Sequence, residues 1–311
     1  MKKTAIWTLK LLLITALLYW IVNDIDPDLF IKSLKHLNPW GVFLTFIAVF
    51  VSDLVISWRW YYLSRFQYSF LSSLEANMLA FFLNIFAPAK LGDLSKIYYM
   101  KKKEGHQITH STSYFLVERL FDVLVLAMML LFSAIFIFPS QGGLWVALGL
   151  FGSFLLASYL FYSPKTFRTL LSWLPWPKIR VLLYKIYKIL RSNLTPKRLG
   201  ILFFLTLAVW GSYYLNNFIF FLTATDFKLE LWQIFTASTL AFAVSAIPLT
   251  PGGIGTFQAA FILALGWYGI PKEEALSASL VLQILYILPA TLYSLYLFAT
   301  KDFLWRGHVS T

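Results

Sequence analysis

Long apolar stretches alternate with short polar segments along most of the chain. A stretch of about 20 apolar residues is long enough to cross the hydrocarbon core of a bilayer as an α-helix. Such stretches occupy residues 4–22, 41–58, 111–138, 143–162, 199–223 and 275–299. The pattern predicts an all-α polytopic membrane protein with about six full transmembrane helices, which form a single integral membrane domain over residues 1–311.

Two further apolar regions are interrupted by residues that break helices. Region 70–99 contains "NIFAPAKLGDLSK", and region 231–268 contains "IPLTPGGIG". Proline and glycine disfavour the interior of a helix, and non-helical backbone at membrane depth is tolerated only where protein or a wet cavity surrounds it. We therefore predict that each region is a re-entrant hairpin and that both tips line a common internal site.

The basic residues predict how these segments are oriented. Lys2 and Lys3 precede the first stretch, and segment 163–198 contains nine basic residues and no acidic residue. An excess of lysine and arginine marks cytoplasmic loops. This rule places both termini in the cytoplasm of a multi-pass cell (inner) membrane protein, with the first hairpin entering from the cytoplasm and the second from outside.

Part of the basic segment has helical periodicity. In residues 178–194, leucines and isoleucines form one face and basic residues lie on the opposite side. An amphipathic helix of this kind lies in the headgroup plane and favours anionic lipid. The alternative is that the segment only fixes the topology.

The two hairpins resemble each other in sequence. Residues 88–92 and 251–255 share a Pro-x-x-x-Gly spacing, and each is followed by a long apolar stretch that carries Glu118 or Gln283 in its first half. Because the predicted topology gives the two units opposite orientations, the pattern indicates an inverted repeat, whose site lies at the repeat interface near the midplane. The alternative is a coincidence of a common spacing.

A charged side chain within an apolar membrane segment costs free energy, so each one calls for a structural or functional explanation. The candidates are Asp53, Arg59, Glu75, Lys90, Asp93, Lys96, Glu118, Arg119 and Asp122. Glu118 and Asp122 are four positions apart and share one helix face. One interpretation is a polar pocket that holds an anionic group such as a lipid phosphate, in which Asp93 or Glu118 pairs with Arg119, Arg59 or Lys90. The other is a set of ion pairs that fix helix packing, or side chains that reach the interface.

The composition argues against several other classes of protein. The chain has no cysteine, so disulfides and thiolate zinc sites are excluded, and its four histidines form no H-E-x-x-H pair. Walker, Rossmann and nucleophile-elbow motifs are absent. The net charge of +12 indicates orientation and contact with anionic lipid, not nucleic acid. We expect no catalytic residue, metal or cofactor, although an enzyme that uses an intramembrane carboxyl group stays open.

Three motifs together resemble a known family. They are "NIFAPAKLGDLSK", "VERLFD" and "PLTPGGIGTFQ", with the matching residues Asn84, Pro88, Gly92, Asp93, Lys96, Glu118, Arg119, Asp122, Pro251, Gly252, Gly253, Gly255 and Gln258. In these motifs the chain resembles the flippase-like membrane domain found at the front of bacterial lysylphosphatidylglycerol synthases and as stand-alone proteins. The likeness extends over nearly the whole chain.

The resemblance implies translocation of a phospholipid or another anionic or modified lipid between leaflets, with membrane lipids as partners. Lys90 and the charged residues of the first two motifs would form the cytoplasmic half of the site, and the third motif would form the outer half. Gln258 and Asp93 stand where the family usually has glutamate. The chain ends without a soluble aminoacyl-transfer domain, so we expect no lysyltransferase activity. The alternatives are a secondary transporter of a small anion and a non-transporting subunit of a lipid-modifying enzyme.

Overall fold

The computed structural model describes residues 25–137, 163–177, 195–247 and 250–300, together with isolated positions before and between these ranges. All regular structure in the described ranges is helical, which confirms the predicted all-α class. Most of the predicted stretch 4–22, nearly all of 143–162 and much of the amphipathic segment 178–194 lie outside the described residues, as do residues 301–311.

The described ranges contain the following α-helices. They are α1 (Pro27–His36), α2 (Pro39–Leu63), α3 (Phe70–Phe86), α4 (Ser95–Glu104), α5 (Ile108–Ile137), α6 (Pro164–Ser172), α7 (Pro196–Thr223), α8 (Leu231–Ala246), α9 (Thr256–Gly266) and α10 (Lys272–Thr300). Several starts are defined by a side chain that accepts a hydrogen bond from the first turn, such as Asn38 before α2 and Thr195 before α7. Proline follows each of these two caps, where its missing N–H costs nothing.

Three described helices are long and apolar enough to cross a membrane, namely Pro39–Leu63, Lys197–Thr223 and Lys272–Thr300. They contain the predicted stretches 41–58, 199–223 and 275–299. Helix α5 has 30 residues, which corresponds to about 45 Å, and it carries three charged residues in its N-terminal half. These helices are compatible with a polytopic membrane protein.

Both predicted interruptions are breaks between shorter helices. The segment Pro88–Leu94 forms a 3₁₀ helix between α3 and α4, and Pro251–Gly253 forms one between α8 and α9. We call these segments the first and the second tip turn. Gly252, Gly253 and Gly255 have φ values of 62°, 72° and 84°, which residues with a β-carbon rarely adopt. Glycine therefore allows the chain to reverse at the second tip turn.

The two halves of the chain have the same order of elements and pack reciprocally. The order helix, short helix, tip turn, short helix, long helix runs from α2 to α5 and again from α7 to α10. Helix α3 packs on α10, while α8, its counterpart, packs on α5; α2 packs on its own counterpart α7, and the two tip turns touch. Two copies of one unit related by an approximate two-fold axis would produce this set of contacts.

The α2–α7 contact depends on a close approach of the two backbones. A β-carbon at Gly41 would lie 2.3 Å from the carbonyl carbon and oxygen of Thr223 and 2.4 Å from the nitrogen of Ala224. The N–H of Asn38 donates to the carbonyl oxygen of Ala224 at 2.9 Å. Backbone atoms cannot move aside as a flexible side chain can, so even one methyl group at this position must separate the two helices.

We expect Gly41→Ala to lower the free energy of unfolding by about 1–3 kcal/mol, because it overpacks this contact. The measurement is reversible unfolding in mixed detergent micelles. Gly211→Ala on α7 is the matched control, since a β-carbon there meets no atom within 4 Å and alanine is favoured over glycine in a helix interior. Equal stability of the two variants would contradict the close approach.

Candidate functional site

A cluster of charged side chains lies where α2, the first tip turn, α4 and α5 meet, with α7 closing one side. We call it the charged cluster, and its members are Arg59, Asp93, Lys96, Glu118, Arg119 and Asp122. Three are cations and three are carboxylates, so their formal charges balance. All six are among the charged candidates named from the sequence, and all but Arg59 also belong to the three family-like motifs.

Arg59 links the two acids of α5 from within α2. Its Nη2 lies 2.8 Å from Oε1 of Glu118, and its Nη1 lies 2.5 Å from Oδ1 of Asp122. Arg59 and Glu118 are almost completely buried. A buried charge is tolerated when it is paired and hydrogen-bonded, so the two carboxylates and the guanidinium hold one another in place.

Lys96 supplies a second buried cation to Glu118. Its Nζ lies 3.2 Å from Oε2 of Glu118 and 5.1 Å from the ring centroid of Trp60. The lysine has no exposed surface. A cation over an indole face gains electrostatic stabilisation that is larger when water is excluded. This contact fixes the start of α4 against α2 and α5.

Arg119 is the exposed member of the charged cluster, with 37% of its side-chain surface accessible. Its guanidinium lies 3.3 Å from Asp93, 3.5 Å from Glu118 and 3.4 Å from Asp122. Asp93 is fixed in turn by Asn84, whose Nδ2 donates to its Oδ1 at 2.7 Å. Arg119 therefore lies at the open edge of the cluster, backed by three carboxylates.

Both arginines retain an unused donor. Within the described residues, Nε of Arg59 and Nε of Arg119 are buried and have no hydrogen-bond partner. An unmade hydrogen bond at a buried donor is costly, and each such group calls for an explanation. A guanidinium fork matches the oxygens of a phosphate or carboxylate, so the accessible part of the Arg119 guanidinium, and not its buried Nε, suits an anionic group at the open edge.

The second tip turn is held by a chain of neutral amides instead of charges. The N–H of Gly255 donates to Oε1 of Gln258 at 2.7 Å, Nε2 of Gln258 donates to Oε1 of Gln283, and Nε2 of Gln283 donates to the carbonyl oxygen of Gly252 at 3.0 Å. Gln258 is buried. The chain of amides ties both ends of the glycine-rich turn to α10.

The two tip turns approach each other through small residues. A β-carbon at Gly92 would lie 2.5 Å from the nitrogen of Asn84 and 2.8 Å from the carbonyl oxygen of Ala80. A β-carbon at Gly252 would lie 3.4 Å from the α-carbon of Ile85. The end of α3 is therefore enclosed by glycines from both turns, which brings the second tip next to the segment that carries Asp93.

The structure divides the sequence-predicted site residues into two groups. Asp93, Lys96, Glu118, Arg119 and Asp122 meet in the charged cluster, with Asn84 and Gly92 beside it. The second-tip residues form a neighbouring neutral group, which consists of Pro251, Gly252, Gly253, Gly255 and Gln258. The side chains of Pro88 and Lys90 lie outside the described part of the structure. No group of three or more His, Asp or Glu residues within the described ranges is arranged to hold a metal ion.

Three residues of the site were not singled out from the sequence as part of it. Thr206 and Trp210 of α7 reach the charged cluster, with Thr206 Oγ1 3.4 Å from Nη1 of Arg59 and Trp210 Nε1 donating to Asp122 at 3.3 Å. Gln283 was noted only as a repeat counterpart of Glu118. Because Thr206 and Trp210 are four positions apart, they share a helix face, and this polar pair in an apolar stretch is the signal that could have identified them.

We expect Gln258→Glu to weaken the second tip turn by about 1–3 kcal/mol, because a carboxylate cannot donate to Gln283 and leaves the partly buried Oε1 of Gln283 without its donor. The measurement is unfolding in mixed micelles. Gln233→Glu is the matched control, since Gln233 uses its oxygen to accept from the N–H of Glu230 and a carboxylate can do the same. A control that unfolds as easily as Gln258→Glu would argue against the amide chain.

The chain is similar to known membrane proteins. The family model described as the lysylphosphatidylglycerol synthase TM region matches residues 7–294. A UPF0104 membrane protein of Methanocaldococcus jannaschii is 28% identical over 228 residues, which cover 70% of this chain and 93% of that protein. The protein is therefore embedded in a membrane. The family match spans most of the chain and all three motifs, and the chain belongs to the family of the lysylphosphatidylglycerol synthase transmembrane region.

Proposed function

We propose that this protein moves a phospholipid or another amphiphilic lipid between the two leaflets of the membrane. The headgroup passes along the charged cluster while the acyl chains remain in the bilayer. The observation that carries this proposal is Arg119, a partly exposed guanidinium at the edge of a largely buried, charge-balanced cluster. Intramembrane charges with this arrangement mark the pathway of a polar substrate.

The geometry supports a simple binding step. A headgroup phosphate accepts hydrogen bonds from Arg119, and the contacts of Arg119 at 3.3 to 3.5 Å are long enough to be exchanged for it. The two inner cations stay with Glu118 and Asp122 at shorter distances. The cluster therefore keeps its fold while its outer member changes partner.

The two hairpins enter the membrane from opposite sides in the proposed topology. The first hairpin, α3 to α4, enters from the cytoplasm and the second, α8 to α9, enters from outside, with both termini in the cytoplasm of the cell membrane. The reciprocal packing of the two halves and the contact between the tip turns support this arrangement. Opposed hairpins that meet near the midplane allow one site to face either leaflet in turn.

The charged cluster is better suited to binding an anionic group than to acid–base catalysis. Glu118 and Asp122 are both ion-paired with Arg59. A general acid or base must exchange its proton with a reacting group, and carboxylates held by a buried guanidinium are poorly suited to do so. We accordingly propose a lipid transporter that is not an enzyme, with membrane lipids as its partners.

Reconstitution tests the function directly. The purified protein is placed in liposomes that contain fluorescent phospholipids of anionic, zwitterionic and cationic headgroups, and the rate at which each lipid changes leaflet is compared with that in protein-free liposomes. We expect at least one headgroup class to move faster with the protein. Equal rates for every class, with or without a proton gradient, would refute lipid transport. Uptake of a soluble anion without lipid movement would identify a solute transporter.

A further inference from the structure

Asp53 is a buried carboxyl group outside the charged cluster. It lies in the interior of α2, about 20 Å from Pro39 and 15 Å from Leu63 at the usual helical rise. Only 4% of its surface is exposed. Its Oδ2 has no hydrogen-bond partner among the residues that the structure describes.

No cation of the described ranges forms an ion pair with Asp53. Arg59 is six positions further along α2, about 9 Å by the helical rise, and its terminal nitrogens are taken by Glu118 and Asp122. The titratable or charged groups in the interior of the helices packed against α2 are Glu75 on α3, Tyr114, Glu118, Arg119 and Asp122 on α5, Tyr213 and Tyr214 on α7, and Tyr286, Tyr293 and Tyr296 on α10. Among these, the phenol of Tyr213 interacts electrostatically with Asp53.

Polar contacts occur on α2 one turn from Asp53 and between α7 and α10, two helices that pack against α2. Ser57 Oγ donates to the carbonyl oxygen of Asp53 at 2.7 Å and accepts from Nδ2 of Asn77 at 3.3 Å. The hydroxyl of Tyr286 donates to Oδ1 of Asn217 at 2.7 Å. Oδ1 of Asn77 and Nδ2 of Asn217 are buried without a partner among the described residues. Polar atoms with spare capacity of this kind are where buried water is found.

We propose that Asp53 is a proton-binding site and that proton exchange at its carboxyl group drives the movement of the headgroup at the charged cluster. An isolated carboxylate buried without a cation is strongly disfavoured, and a bound proton removes that cost. In the coupled cycle, Oδ2 takes a proton from water on one side of the membrane and returns it to water on the other. The charge of Asp53 also changes the electrostatic potential at Arg59 on the same helix. The coupling, though not the proton binding, rests on the proposed lipid transport.

Infrared spectroscopy of the reconstituted protein tests proton binding without any transport. A protonated carboxyl group in an apolar site has a carbonyl band that is separate from those of carboxylates. We expect this band in the unaltered protein and in Asp28→Asn, which removes an exposed carboxyl group of α1, and we expect its loss in Asp53→Asn. The same band in Asp53→Asn would overturn the assignment. If Asp53→Asn does not fold, Asp53→Glu replaces it, and we expect the carbonyl band to shift in that variant. An unshifted band in Asp53→Glu would also overturn the assignment to Asp53.

A pH gradient across the same liposomes tests the coupling. If one proton is exchanged per lipid moved, a difference of one pH unit can change the ratio of the lipid's concentrations in the two leaflets by up to about tenfold. We expect a bias in the unaltered protein and in Asp28→Asn, and none in Asp53→Asn. A bias of equal size in Asp53→Asn would refute coupling through this residue. If the carbonyl band behaves as expected but no lipid moves in any sample, the proton site stands and the proposed transport fails.

Discussion

Arg59→Ala is expected to lower the free energy of unfolding by about 3–5 kcal/mol, because it removes the cation shared by the buried carboxylate of Glu118 and the partly buried carboxylate of Asp122. The guanidinium is the direct partner of both Glu118 and Asp122. Lys96 still reaches Glu118, whereas among the described residues Asp122 keeps only the partly exposed Arg119 and the indole N–H of Trp210. The measurement is reversible unfolding in mixed detergent micelles.

Two further variants sharpen this test. Arg65→Gln removes one positive charge from an exposed residue that follows the same helix, and we expect a change within about 0.5 kcal/mol. Arg59→Lys keeps the charge but cannot bridge two carboxylates with a planar fork, so its loss should lie between those of the other two. Equal stability of Arg59→Ala and Arg65→Gln would show that the charged cluster does not hold the helices together.

Arg119→Ala is expected to slow lipid movement by tenfold or more, which corresponds to at least about 1.4 kcal/mol at the site. The reason is that the Arg119 guanidinium is partly accessible, while Arg59 and Lys96 are enclosed. We expect a smaller loss of stability than for Arg59→Ala, because solvent screens the partly exposed guanidinium. The ratio of the two effects, on transport and on unfolding, separates a binding role from a packing role.

Arg168→Ala provides the matched control for transport. Arg168 is an exposed arginine of α6 that contacts the hydroxyl of Tyr184, so its loss removes the same charge away from the charged cluster. Arg119→Lys should recover part of the rate, since it keeps the charge and loses the fork. Transport that responds equally to Arg119→Ala and Arg168→Ala would indicate a general effect of surface charge and not a site.

The helices could be predicted from the sequence because their cause is local. Apolar length predicted α2, α7 and α10, and the two clusters of proline and glycine predicted both tip turns. The first region was predicted to end at residue 99, whereas α4 continues to Glu104. The run of lysines in its last turn is favourable next to the carbonyl oxygens of a helix C-terminus, which explains why the helix extends beyond the apolar pattern.

The pairing within the charged cluster could not be predicted in the same way. Sequence reasoning allowed Asp93 or Glu118 to pair with several cations. In the structure Asp93 pairs with Arg119, whereas Glu118 pairs with Arg59, Lys96 and, at the longest distance, Arg119. Arg59 and Glu118 are separated by 59 positions. Such a contact depends on how α2 packs against α5, which no local spacing encodes.

The two halves differ in the charge of their polar contacts, which the sequence indicated only in part. Glu118 and Gln283 occupy similar places in the two units, yet the first is ion-paired and the second belongs to a chain of neutral amides. Gln258 completes that chain. Charge is therefore concentrated in the first half. In the proposed transport, a headgroup would meet charged partners near the first tip turn and neutral donors and acceptors near the second.

The position of a bound lipid is the most direct test of the central claim. The measurement is a density map of the protein in lipid nanodiscs prepared with the phospholipid that moves fastest in liposomes. We predict a headgroup phosphate within hydrogen-bond distance of Arg119, next to the two tip turns, with the acyl chains directed into the bilayer. Headgroups found only on the outer surface of the protein, with the open edge of the charged cluster closed by protein, would contradict the account.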